Sequence, residues 1–167
     1  AAEVYKCVAL AGAEQQRASA LPIVLRQLCD ALLHEEDLES LTALFEALQS
    51  LIEVEATASP PRALPATLAH GIVGTIKHQL LLRDAHTPAA SGGDAGASED
   101  EGDDEDDEEE VWEMLSALVE ATRRLLELQG GVLLGALDQH LLPIFKVWLA
   151  APDWTRRAAS LALHSHA

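Results

Sequence analysis

The sequence predicts an all-α fold in which antiparallel helix pairs stack in series as a right-handed solenoid, and three observations lead there. Leu and Ala supply most of a 49% hydrophobic chain that is only 4% aromatic, and both residues favour helix, whereas sheets draw on β-branched and aromatic side chains. Apolar residues recur at the 3.6-residue period of one helical face. Three Leu-Pro dipeptides, Leu21-Pro22, Leu64-Pro65 and Leu142-Pro143, mark a recurring unit, with Pro22 and Pro65 43 residues apart.

From Leu21 the apolar positions are Leu21, Val24, Leu25, Leu28 and Leu32, one face of a first helix. Asp37 is placed to cap a second, whose stripe runs Leu38, Leu41, Leu44, Phe45, Leu48, Leu51 and Ile52 before Ser59-Pro60-Pro61 stops it. So short a connection forces the two helices antiparallel. The next stripe is Leu64, Leu68, Ile72, Ile76 and Leu80, with Gly71 and Gly74 read as weakening the helix and permitting close packing. Its partner comes late, as Val111, Leu115, Leu118, Val119, Thr122, Leu125 and Leu126, and is expected to end at Gly130-Gly131 in a left-handed terminus. A third pair then follows: Leu133, Leu137, Leu141, Ile144, Phe145 and Trp148, a turn at Pro152-Asp153, and Trp154, Ala158, Leu161 and Ala162. Val4 to Leu10 reads as the end of an earlier helix, and the chain as a fragment.

The resulting organisation is three segments. Residues 1–85 carry the end of one unit, a full pair and the first helix of the next. Residues 86–110 are an inserted loop, and residues 111–167 hold the second helix of the split pair and a following pair. Pro65 and Pro143 lie 78 residues apart, and removing the insertion brings the spacing back toward the earlier period. Eleven of the twelve residues from Glu99 to Glu110 are acidic, so removing those charges from the net −17 leaves −6 on the rest. Such a run repels itself and has nothing apolar to bury, which predicts a disordered loop. Its end, Glu108 to Glu110, is expected at a helix N-terminus, where negative charge is favoured.

Chemistry beyond binding finds little support. A calcium loop of the EF-hand type would use Gly102 as its sixth position and so place Ala97 first, where a carboxylate is needed. His164 and His166, or His70 and His78, lack the i, i+4 spacing of a helical zinc site. No phosphate loop or nucleophile elbow occurs, so no enzyme, cofactor or metal is expected. Nucleic acid is disfavoured by the acidic balance, and no uncharged apolar stretch reaches the ~18 residues of a bilayer span, so a soluble protein is expected. Cys7 and Cys29 read as reduced, buried thiols of an intracellular chain. Trp112, Trp148 and Trp154 read as packing residues, and Arg156 and Arg157 as ion-pair partners within the fold.

What remains is attraction of basic proteins. The candidate contacts are Glu99, Asp100, Glu101, Asp103, Asp104, Glu105, Asp106, Asp107, Glu108, Glu109 and Glu110 of the acidic run. Glu39, Glu46, Glu53, Glu113, Glu120 and Glu127 on the second helices join them, Glu113 and Glu120 foremost. Charge on a tether steers encounter over about 8 Å at physiological salt.

The segment His140-Leu-Leu-Pro-Ile-Phe-Lys-Val-Trp-Leu149 followed by Pro152-Asp-Trp-Thr-Arg-Arg-Ala-Ala-Ser-Leu-Ala-Leu163 resembles a HEAT repeat. A pair containing Leu28-Cys-Asp-Ala-Leu-Leu33, a pair split by an acidic loop and a Leu-Leu-Pro helix together resemble the importin-β family of nuclear import receptors, nearest the importin-5 and importin-4 branch. The resemblance runs from about Leu21 to Ala162. It implies a segment of a receptor that carries basic cargo such as histones and ribosomal proteins, shuttles between cytoplasm and nucleus, and meets Ran-GTP and FG nucleoporins through the full-length protein. The alternative is a HEAT scaffold that holds a multiprotein complex.

Overall fold

The computed structural model describes residues 14–58, 62–86, 104–150 and 157–161. Every regular element among them is helical: α1 (Glu14–His34), α2 (Leu38–Ala56), α3 (Ala66–His86), α4 (Asp104–His140) and α5 (Leu142–Leu149), with 157–161 helical as well. No single described helix is long and apolar enough to cross a membrane.

The expected stripes of α1 to α4 supply much of the buried core, whereas Leu161 of the last expected stripe is exposed. Leu25, Leu28 and Leu32 of α1, the α2 run from Leu41 to Ile52, Leu68 to Leu80 of α3, and Leu115, Leu118 and Leu125 of α4 share one continuous core. Asp37 caps α2 as expected: its Oδ2 accepts the Ser40 backbone N–H at 2.8 Å. The connection of residues 35–37 turns α2 back along α1. After α2 the chain is pinned by Arg62, whose backbone N–H donates to Glu55 O at 3.1 Å and whose guanidinium lies 3.4 Å from the buried Glu55 carboxylate.

Helix α1 packs on α2 and α3, and α4 packs on α2, α3 and α5, the α2–α4 interface being the most extensive. Buried polar side chains set directions. Near the end of α3, the Gln79 Nε2 group donates to Leu32 O and Arg83 Nη2 donates to Glu36 O at 3.2 Å. The C-terminal ends of α1 and α3 therefore lie together and the two helices run the same way. Gln129 Nε2 of α4 donates to Leu64 O at 3.0 Å, just ahead of α3, so α4 runs against α3. Ser160 Oγ donates to Phe145 O at 2.8 Å, drawing 157–161 onto α5.

Four expectations need correction. Helix α4 does not stop at Gly130-Gly131 but continues to His140. Its buried face carries through as Leu125, Gln129, Leu133 and Ala136, and a helical glycine costs only about 1 kcal/mol against alanine, which that burial outweighs. The break falls instead at Leu141, with α5 bent 55° from α4, because Pro143 in the first turn of α5 lacks an N–H and crowds the carbonyl four residues back. Second, α4 starts at Asp104, so 104–110 is helix rather than loop. Once Val111 to Leu118 is packed, adding turns at its front needs no new nucleus, and carboxylates are favoured there. Residues 87–103 lie outside the described residues. Third, the Leu-Pro dipeptides are not equivalent: Pro22 is inside α1, Pro65 precedes α3 and Pro143 opens α5. Fourth, Gly71 and Gly74 do not serve close packing, since a Cβ at either meets nothing within 4 Å.

Candidate functional site

Of the carboxylates expected to meet a basic partner, Glu99, Asp100, Glu101 and Asp103 fall outside the described residues. Asp104 to Glu108 form the opening turns of α4, and Glu109 and Glu110 follow as exposed residues. Further along, the acidic positions fall at heptad spacing. Glu113, Glu120 and Glu127 occupy one strip of α4, opposite the buried Leu118, Ala121 and Leu125, and Glu39, Glu46 and Glu53 occupy the strip of α2 opposite Leu41, Leu48 and Leu51. Seven residues of helix advance about 10 Å. Two packed helices thus each turn a row of carboxylates away from the core.

Glu39, Glu46, Glu53, Glu113 and Glu127 are exposed and Glu120 is half-buried. Glu120 and Glu127 are held by two guanidinium groups: Arg123 bonds both, and Arg124 reaches Glu120 at 3.2 Å and Glu127 at 3.3 Å. The Arg123 hydrogen bonds, offset in part by desolvation, lower the Glu120 carboxyl below its ordinary pKa. This i, i+3 and i, i+4 knot gives the Glu120 carboxylate cations from its own helix. The positions of Arg123 and Arg124 are visible in the sequence; that both reach the same two carboxylates is visible only in the fold.

Asp37 is likewise pulled below its ordinary value, first by the Ser40 backbone N–H. For both groups the folded state favours the ionised form, so their stabilisation is complete above the unfolded values near 4 and is lost as pH falls through the lowered folded values. The urea midpoint of a D37N/E120Q double variant is expected to fall less steeply than the parent's below about pH 4. Acid limbs of equal slope would contradict that assignment.

A groove of about 290 Å³ between α1 and α3 is lined by Arg26, Cys29, Asp30, Leu33, Thr67 and Gly71 among others. Burial pushes the half-buried Cys29 thiol up in pKa, against a lowering hydrogen bond with Thr75, so it stays protonated at neutral pH and is a poor nucleophile. Cys7 lies outside the described residues. Trp148 is a packing residue, with 1% of its surface exposed and its ring edge-on to Phe145 at 6.4 Å. Trp112 is half-buried, and Trp154 and Arg156 lie outside the described residues.

Sequence reasoning missed Gln79, Arg83 and Gln129, polar residues on or beside buried faces that satisfy backbone carbonyls of other segments. For the two glutamines the signal is a polar residue at an apolar position of the helical period, Gln79 beside Leu80 and Gln129 beyond Leu125. Searches of protein-family models, of curated proteins and of solved structures match none of them to this chain.

Proposed function

We propose that the chain is a segment of a nuclear import receptor that binds basic cargo, built as a right-handed α-solenoid of HEAT-type pairs. The observation that carries this reading is the pair of heptad-spaced carboxylate rows turned outward on the neighbouring helices α2 and α4, continuous with the acidic opening of α4. Two further features support it. Parallel α1 and α3 in one layer, with α2 against α4 in the other, is how stacked helix pairs bury their faces in a solenoid. The arrangement of a split pair and a Leu-Leu-Pro helix adds the resemblance to the importin-β family.

In this reading histones and ribosomal proteins are the cargo class, cytoplasm and nucleus are its compartments, and Ran-GTP and FG nucleoporins are met through the full-length receptor. Attraction of Lys- and Arg-rich segments by outward carboxylates raises encounter rate and weakens with salt. The Arg123–Arg124 knot favours a second reading, because it neutralises part of the α4 row. A HEAT scaffold holding a complex would use the same fold without needing a fully acidic face.

The test is titration with a Lys-rich histone-tail peptide. Replacing Glu39, Glu46 and Glu53 by Gln is expected to weaken binding roughly tenfold at low salt and to flatten its salt dependence, since exposed pairs contribute about 0.2–1 kcal/mol each. Unchanged affinity would exclude the α2 row as the contact. Release of the peptide from the full-length protein by Ran-GTP separates receptor from scaffold.

A further inference from the structure

We propose that Gly130, Gly131 and Gly135 make the last third of α4 a hinge, about which α5 turns relative to the α1–α4 body. Glycine is the least favourable helix residue after proline, and three fall within six residues of one uninterrupted helix. Packing does not require them: a Cβ at any of the three meets nothing within 4 Å. None has the positive φ that would demand glycine, so the backbone is ordinary helix there.

The glycines also lie where α4 changes partners. Gln129, immediately before them, ties α4 to Leu64 at the front of α3. Between Met114 and Gln129 the helix buries seven side chains, Met114, Leu115, Leu118, Ala121, Thr122, Leu125 and Gln129, but from Gly130 to His140 it buries only Leu133 and Ala136. Val132 and Leu134 are more than half exposed, so bending there meets little resistance. Beyond the stretch, α5 packs on α4, buries Phe145 and Trp148 and receives Ser160 on the Phe145 carbonyl, which keeps α5 and 157–161 together as they move. Weak helix between two better-packed bodies is where local opening concentrates.

Native-state hydrogen exchange on the whole chain tests this. After correction for intrinsic rates, amides of residues 131–139, whose helical bonds span the glycines, are expected to exchange at least tenfold faster than those of 115–128, while amides of 145–149 stay protected. Replacing all three glycines by alanine is expected to slow exchange at 131–139 by about a hundredfold, from roughly 1 kcal/mol per substitution. Equal rates at 131–139 and 115–128 in the parent chain would overturn the hinge. So would α5 exchanging as fast as 131–139, which marks a fraying end, or a triple variant with unchanged rates.

Discussion

Truncating Phe45 to alanine is expected to lower folding stability by about 3–5 kcal/mol, the range for removing a large aromatic side chain from a core that cannot collapse around the gap. Phe45 has no exposed surface and belongs to α2, which faces both α1 and the longest run of α4. Ala47, Leu48, Leu51 and Ile52 around it are equally enclosed, so neighbours have no free volume from which to move in. The loss falls on the body as a whole. In urea denaturation the midpoint should drop with the slope unchanged, because the surface exposed on unfolding is nearly the same. A drop of less than about 1 kcal/mol would mean that the α2–α4 interface is not packed as described.

Trp148→Ala is expected to cost a similar amount, about 3–5 kcal/mol, but over a smaller part of the chain. The indole is buried and meets Phe145 edge-on with the rings 76° apart, a geometry worth about 0.5–1.5 kcal/mol beyond area alone. Since α5 packs chiefly on α4, the loss should appear as early exposure of α5 and 157–161 while α1 to α3 remain folded. Hydrogen exchange resolves the two: 145–149 should lose protection and 41–52 should keep it. Uniform loss across both would show that α5 and the body unfold as one cooperative unit.

The helices were readable because helical burial leaves a local, periodic trace. Leu38 to Ile52 shows it within one segment, and Asp37 three residues ahead of Ser40 signals the cap with no tertiary information. Gly130-Gly131 misled for the converse reason. A glycine pair is favoured at a helix end and costs only about 1 kcal/mol per residue inside one, and what decides is whether Leu133 and Ala136 find a surface to cover. Pro22 misled similarly, since its place inside α1 depends on helix preceding Leu21. At the candidate site, the glutamates themselves were legible as candidate contacts, but which way each faces was not, because that depends on how α2 and α4 pack. The neutralisation of Glu120 and Glu127 required seeing that Arg123 and Arg124 reach both at once. The contacts of Gln79 and Gln129 span 47 and 65 residues, and no periodic signal carries that distance.

Those backward-reaching side chains impose an order on synthesis. The Leu32 carbonyl at the end of α1 receives its donor from a residue 47 positions later, and Leu64 receives its own from one 65 positions later. A ribosome adding about 5–20 residues each second delivers these donors roughly 2–13 seconds after the acceptors. Through that interval water must serve the exposed carbonyls, and each helix pair emerges complete in outline but open at its end. The end of α1 and the approach to α3 are therefore closed in sequence, each by a helix made later.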